Sequence, residues 1–309
     1  MAALGIQPYL LKWMHSFLLD RQQRVKIDNA YSDWVTLLGG MPQGTWLGPY
    51  VFLILIDDLK TIMPTFKFID DVTIIETMDQ PGTTKLQLAA NQLTDWSHLN
   101  RMNINTKKTK EILLGSALKD PPPAIVLDSE IVDRVTSFKL LGVTVNNCLN
   151  WDDHVSAVCA KANKRLHFLK LLKRSSVACD DLLQYYYSVV RPVIEYACPV
   201  WQSGITVEQR DQLETIQRRA MCTITGSRDY ELQCALLDVE PISVRLNGLA
   251  SAFFCRICNT ADCINHLLPS ERQTEIIHKL RNANKLPGII CRTERYSKSF
   301  IPYALRNYQ

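Results

Sequence analysis

Phe68-Ile69-Asp70-Asp71-Val72-Thr73-Ile74-Ile75 places two adjacent carboxylates at the tip of an alternating apolar pattern. Over 66–76 the alternation reads as strand, tight turn, strand. Upstream, Met41-Pro42-Gln43-Gly44-Thr45-Trp46-Leu47-Gly48-Pro49 is a Gly- and Pro-dense loop that opens an apolar segment. That segment, Tyr50 to Leu59, reads as a buried helix ending in a second acidic pair, Asp57-Asp58.

Outward from this centre, residues 4–19 carry Leu10, Leu11, Met14, Phe17 and Leu18 at near-helical spacing. Arg24 to Ile27 alternates like a strand, and Trp34 to Leu37 is its candidate hairpin partner. Leu86, Ala90, Leu93 and Trp96 mark an amphipathic helix ending before Asn100. Glu111 to Leu114 reads as a strand, Pro121-Pro122-Pro123 as a stiff connector, and Ser137 to Val145 as a strand pair turning at Gly142.

After Asn150 the period changes to helical. Asn150 with Asp153 is a candidate cap for a helix with Val155, Val158, Ala162, Leu166 and Leu169 on one face. Leu182 to Tyr187 continues in helical style until Pro192 and Pro199. Thr206 with Gln209 forms a capping-box signature for a third helix closing at Gly226. No internal repeat is evident.

At 309 residues and 47% hydrophobic content, the chain is long and apolar enough for about two domains with a sizeable core. The net charge of +4 matters less than its distribution. Positions 161–174 hold six cations and no carboxylate, and positions 281–309 hold six cations against Glu294 alone. The ten scattered cysteines, with no signal peptide ahead of them, fit free thiols in a reducing compartment, nuclear or cytoplasmic. The longest strongly apolar run, Val51 to Ile56, is too short for a membrane span, so no membrane partner is expected.

Adjacent carboxylates are hard oxygen donors suited to Mg²⁺. Nucleotidyl transfer uses two such ions about 3.5–4 Å apart. Neighbouring side chains in a strand point apart, so Asp70 is expected to be the stronger ligand and Asp71 its partner. Taken alone, an Asp-Asp turn is equally a solvated hairpin tip. A Gly-rich loop before a helix allows close backbone approach to phosphate, yet by itself Pro42-Gln43-Gly44 is also an ordinary breaker. The run 161–174 could neutralise nucleic-acid phosphates through Lys161, Lys164, Arg165, Lys170, Lys173 and Arg174, or be a solvated helix face. Cys255, Cys258, Cys263 and His266 are ligand types for zinc, but buried free cysteines beside Phe253 and Phe254 account for them as well.

Pro42-Gln43-Gly44-x-x-Leu47-Gly48-Pro49, a short distance before Phe68-x-Asp70-Asp71, resembles motifs B and C of a reverse transcriptase palm. Asn103 to Lys110 resembles the family's Asn-x-x-Lys-Thr motif, and Phe138 to Val143 its primer-supporting hairpin. Trp151 to His154, Leu166 to Leu169, Arg191 to Ala197 and Ile216 to Ala220 resemble the thumb of non-LTR (LINE-type, jockey-like) retrotransposon polymerases. Residues 292–302 resemble the end of those reading frames.

The resemblance implies an α+β fold: a partial palm (1–148, antiparallel sheet with helices), a helical thumb (149–228) and a mostly helical C-terminal segment (229–309). It implies RNA-directed DNA synthesis with Mg²⁺, an RNA template, a DNA primer and dNTP. Asp70 and Asp71 would hold metal. Pro42, Gln43 and Gly44 would border nucleotide and template. Lys108, with Lys110 beside it, would assist the leaving pyrophosphate, and Leu141 and Gly142 would support the primer. In that family Asp57-Asp58 is not catalytic. Ile69 stands where the family has Ala or Val, at a position expected to face a core.

The family's first catalytic aspartate, in a Phe-x-x-Asp-type strand, would lie N-terminal to residue 1. The expectation is therefore a truncated polymerase; a non-catalytic nucleic-acid-binding remnant of a retroelement is the alternative. This polypeptide alone is expected to show no measurable DNA polymerase activity with Mg²⁺ or Mn²⁺. Primer extension on an RNA template that Asp70→Asn abolishes would contradict this.

Overall fold

A computed structural model describes residues 5–41, 44–78, 82–259, 261–272 and 285–309. The architecture is α+β, built from helices and short antiparallel strand pairs. The chain divides into two units, 1–111 with 116–133 and 112–115 with 134–309.

In the first unit, helix α1 (Pro8–Leu18) begins on a proline, whose missing N–H costs nothing in a first turn. Strand β1 (Gln22–Gln23) pairs with β4 (Val35–Thr36), and β2 (Lys26–Ile27) pairs with β3 (Ala30–Tyr31). The 24–27 segment thus does not pair with 34–37 as the alternation suggests. Asp28 and Asn29 are turn formers, Asp28 has φ +52°, and the chain reverses there locally.

Helix α2 (Leu47–Ile56) is apolar on all sides, yet of its residues only Ile56 is buried; Tyr50, Leu53 and Leu55 are exposed. The expected burial fails because the unit's described core is small and covers one stripe. Strand β5 (Thr65–Phe68) pairs with β6 (Asp71–Ile74) in the register Phe68↔Asp71 through Thr65↔Ile74.

Helix α3 (Leu86–Leu99) buries Ala89 and Ala90 and ends at Asn100. The Gln87 amide both donates to and accepts from the backbone of Val126 (2.9 Å each), locking α3 to the short strand Val126–Leu127. Ala90, Ile125, Leu127 and Val132 form the core there. The expected strand over 111–114 shortens to Lys110–Glu111, because Gly115 (φ +63°) leads into a 3-10 turn.

The second unit opens with strands Ser137–Leu140 and Val143–Asn146, joined by Leu141 (φ +45°) and Gly142 (φ +88°). Two consecutive positive φ values suit a tight hairpin turn. Helix α4 (Asp152–Arg174) follows and buries Val155, Val158, Ala162, Leu166 and Leu169. Its N-cap is Trp151 without a side-chain cap, not Asn150. Asn146 holds Asn150 instead: its Nδ2 donates to Asn150 Oδ1 (2.6 Å), and its Oδ1 accepts from Asn150 N (3.1 Å).

Helix α5 (Cys179–Tyr185) widens into a π turn over Tyr186–Val190 before α6 (Arg191–Glu195). Pro192 explains the widening. It has no N–H for the carbonyl four residues back, and its ring displaces that carbonyl. Helix α7 (Cys198–Trp201) also starts around a proline. Helix α8 (Val207–Thr225) carries the expected capping box, Thr206 with Gln209, and closes at Gly226 (φ +80°). Helices α9 (Tyr230–Leu237) and α10 (Ile242–Ile257) complete the bundle. Phe254 and Ile257 of α10 bury Ala304 and Leu305 of the last helix, Phe300–Asn307. Among the described residues no helix is long and apolar enough to cross a membrane.

Gln217 is fully buried at the bundle centre. Its Oε1 accepts from the Tyr186 hydroxyl, and its Nε2 donates to Tyr230 Oη (2.8 Å) and Glu240 O (2.7 Å). Tyr230 in turn donates to Glu214, whose carboxylate accepts Ile242 N and Ser243 N at 3.2 Å, the first amides of α10. A carboxylate on unpaired N-terminal amides is favourable.

His154 is buried between Trp151 and Trp201, and its Nδ1 accepts Thr144 N (3.2 Å). Burial first, and then the charge of Lys139, lower its pKa below 6.5. The folded chain therefore binds fewer protons at this site than the unfolded one. The stability contribution is intact above about pH 6.5 and is lost as the pH falls toward the depressed value. Urea unfolding at pH 5 and pH 7.5 should show the parent losing more stability on acidification than His154→Gln, which keeps an acceptor but does not titrate.

Candidate catalytic hairpin and nucleic-acid interface

The hairpin carrying Asp70 and Asp71 turns at Ile69-Asp70. Ile69 has φ +54° and is half exposed, so it does not face a core. A β-branched residue at positive φ is strained by about 1–3 kcal/mol. The reason for the exposure is register: a two-residue loop pushes both of its residues to the tip. Asp70 and Asp71 are exposed there, and among the described residues neither carboxylate has a hydrogen-bond or ion-pair partner.

Lys67 fixes the hairpin. It sits between Phe66 and Phe68 in β5, and its Nζ donates to Ile56 O (2.9 Å), Asp57 O (2.9 Å) and Leu59 O (3.2 Å). These are carbonyls at and just past the C-terminus of α2, where a cation is favourable. The second acidic pair is structural at Asp58, whose Oδ1 accepts Trp96 Nε1 of α3 (2.8 Å). Gln92 of the same helix accepts Ile62 N (2.8 Å).

Pro42 and Gln43 lie outside the described residues. Gly44 has φ +79° and open space around its α-carbon, so the backbone just before α2 is uncovered. Lys108 is exposed, with its backbone N–H held by Asn105, and its ammonium has no partner among the described residues. The Lys110 ammonium is already paired with Asp133 (2.6 Å).

In the second unit the Leu141-Gly142 turn is braced by Tyr196. The Tyr196 hydroxyl donates to Leu141 O (2.8 Å), and a Cβ at Gly142 would meet the Tyr196 ring at 2.8 Å. The ring requires glycine sterically, as φ requires it conformationally.

The six cations of 161–174 do not form one stripe. Arg165 donates to Val189 O and Lys173 to Ile224 O (2.8 Å), so both are tied to backbone within the unit. Lys161 and Lys164 are exposed on one side of the buried stripe of α4. Lys170, nine positions or about two and a half turns beyond Lys161, is exposed on the other. Lys170 shares a cavity of about 330 Å³ with Arg218, Arg219 and Arg228.

Cys255, Cys258 and Cys263 are exposed free thiols, not buried ones. His266 Nδ1 lies 2.9 Å from Cys263 O. Among the described residues no group of three or more His, Cys, Asp or Glu side chains is gathered for a metal ion, here or at the Asp hairpin.

Lys67 and Tyr196 carry no role in the sequence reading. Lys67 was signalled by a lone cation inside an aromatic alternation. Tyr196 lies within the Arg191–Ala197 segment that resembles the thumb, but its bracing role is not visible there, because its partner lies 55 positions away.

Residues 1–145 match the family described as "Reverse transcriptase (RNA-dependent DNA polymerase)". The chain is 23% identical over 225 residues to the "Probable RNA-directed DNA polymerase from transposon X-element" of Drosophila melanogaster, covering 69% of this chain and 24% of that protein. It is 25% identical over 235 residues to the "Probable RNA-directed DNA polymerase from transposon BS" of Drosophila melanogaster, covering 70% and 26%. It is 22% identical over 273 residues to the "RNA-directed DNA polymerase from mobile element jockey" of Drosophila funebris, covering 82% and 29%. The chain thus spans about a quarter of the length of the curated relatives it matches. No solved structure matches.

The 137–146 turn generates a direct test. Gly142→Ala should destabilise the second unit by roughly 1–3 kcal/mol, through positive φ and the Tyr196 ring. Tyr196→Phe should cost about 1 kcal/mol, through the lost hydrogen bond to Leu141 O. Urea midpoints measure both. Equal stability of Gly142→Ala and the parent would show that the ring does not pack there.

Proposed function

We propose that the chain is part of the palm and the thumb of a non-LTR retrotransposon RNA-directed DNA polymerase, because residues 1–145 match the reverse transcriptase family and the chain is similar to proteins named as transposon polymerases. One observation carries the reading: two exposed, unpaired carboxylates, Asp70 and Asp71, stand at the tip of a hairpin clamped by Lys67 to the helix that follows the Gly-rich loop.

Asp70 and Asp71 fit a divalent cation by donor chemistry, being hard oxygen ligands with no competing protein cation among the described residues. Two side chains with no third gathered beside them among the described residues predict weak binding. When bound, Mg²⁺ would supply charge stabilisation to a phosphoryl oxygen. The chain's own residues do the rest. Asp70 and Asp71 would hold the ion by their position at the turn. The open backbone at Gly44 allows close approach of a nucleotide or template strand, with Pro42 and Gln43 adjoining. The free ammonium of Lys108 offsets negative charge on a departing pyrophosphate, a role that Lys110 cannot fill while paired with Asp133.

In the thumb, residues 149–228 in this reading, Tyr196 holds the Leu141-Gly142 turn that would support the primer end. Lys161 and Lys164 face solvent and would contact the phosphates of an RNA template and DNA primer without reading sequence. Arg165 and Lys173, engaged with Val189 O and Ile224 O, position the helix instead.

Two measurements test the reading. In Mn²⁺ titrations followed by electron paramagnetic resonance, the parent should deplete the free-ion signal and Asp70→Asn/Asp71→Asn should not. Equal depletion by both would remove the hairpin as the metal site. In a salt series with an RNA–DNA hybrid, affinity should fall linearly on logarithmic axes, and Lys161→Ala/Lys164→Ala should lower the slope by roughly 1–2. An unchanged slope would make this side of α4 only a solvated surface.

A further inference from the structure

Helices α8 and α9 enclose, with Lys170 of α4, an open cavity of about 330 Å³ lined by four cations, Lys170, Arg218, Arg219 and Arg228. Among the described residues no carboxylate lines it, and its remaining wall is neutral, including Cys222 and Gln233. Arg218 stacks on the Tyr230 ring (5.2 Å), which orients that guanidinium. Among the described residues none of the four cations makes an ion pair within 4.0 Å.

Two neighbouring carboxylates, Glu214 and Asp229, are engaged elsewhere. Glu214 takes the Tyr230 hydroxyl and the first amides of α10, and Asp229 Oδ1 accepts Leu232 N (3.1 Å) as the cap of α9. Four exposed cations with no carboxylate among them raise the local positive potential and attract an anion, an effect that salt screens. Three of the four are arginines, whose planar fork matches phosphate oxygens in pairs.

We propose that this groove binds the phosphodiester backbone of a nucleic-acid strand, as a second contact track separate from Lys161 and Lys164. The proposal rests on the reading that this part of the chain is a nucleic-acid-binding thumb, and it adds where a strand lies. Arg219 and Arg228 would grip phosphate, Arg218 would do so from the Tyr230 face, and Lys170 would close the far side. The cavity opens to solvent and its arginines are exposed, which suits a strand running through better than a small anion enclosed within.

The test uses the whole chain, and binding is measured across a salt series with an RNA–DNA hybrid, a single-stranded RNA and inorganic triphosphate. The variants are Arg219→Ala/Arg228→Ala, Arg218→Lys, and a charge-matched control in the first unit, Lys12→Ala/Lys119→Ala. Thermal unfolding is run on each. The double variant should bind nucleic acid roughly tenfold or more weakly near 0.1 M salt, with the salt slope lower by roughly 1–2. The control should stay within about twofold of the parent.

A parent that binds nucleic acid while the double variant matches it would overturn this inference and leave the thumb reading standing. A parent that binds no nucleic acid would overturn both. Triphosphate binding as tight as that of the strand, lost in the double variant, would make the groove a small-anion site and overturn the strand proposal. Should the double variant unfold early, Arg218→Lys decides. It keeps the charge but loses the fork, and unchanged affinity with that variant counts against phosphate gripping at this wall.

Discussion

The ammonium of Lys67 on the C-terminal carbonyls of α2 is the contact on which the candidate catalytic geometry depends. A helix end leaves four carbonyls without partners, and a two-stranded hairpin is marginal by itself. One side chain meets both needs. It satisfies three carbonyls, and it couples the turn bearing Asp70 and Asp71 to the helix leading back to Gly44. Trp96 and Gln92 of α3 secure the same junction from the other helix through Asp58 and Ile62. None of these contacts uses the two carboxylates at the tip, which among the described residues have no hydrogen-bond or ion-pair partner.

The second unit is organised around a different constraint, the complete burial of Gln217. A buried amide left without partners costs several kcal/mol, and here Tyr186, Tyr230 and Glu240 satisfy it. The hydroxyl protons of both tyrosines are held strongly, since burial raises their pKa well above the ordinary value. The network fixes the relative placement of α8, α9, α10 and the π turn after α5, and with it the positions of Arg218 and Arg219 on α8.

Much of this was legible from local chemistry. The alternation around Asp70-Asp71, the capping box at Thr206 and Gln209, the stop at Gly226 and the turn at Gly142 are each decided within a few residues. What failed depended on partners or turn geometry that the apolar pattern does not show. The apolar content of Tyr50 to Leu59 announces burial, but how much of α2 is covered depends on other elements. Asn150 looks like a cap until Asn146 engages it. Ile69 looks like a core position until the two-residue turn sends it outward. The run 161–174 reads as one cationic surface because sequence does not show that Val189 O and Ile224 O claim two of its members. Arg218, Arg219 and Arg228 lie within eleven residues, but only folding brings Lys170 of α4 beside them.

The division of cations across α4 has a consequence for how length governs recognition. Lys161 and Lys170 are separated by nine positions, about 13 Å of helix axis, and face opposite sides of a cylinder roughly 10–12 Å across. In the proposed reading, a strand that contacts both tracks has to pass around the helix. A strand long enough to wrap the helix, or a duplex with an overhanging tail, gains its second contact intramolecularly, at an effective concentration set by the intervening nucleotides. Avidity would then make this helix a sensor of junctions and of extended strands rather than of any base sequence.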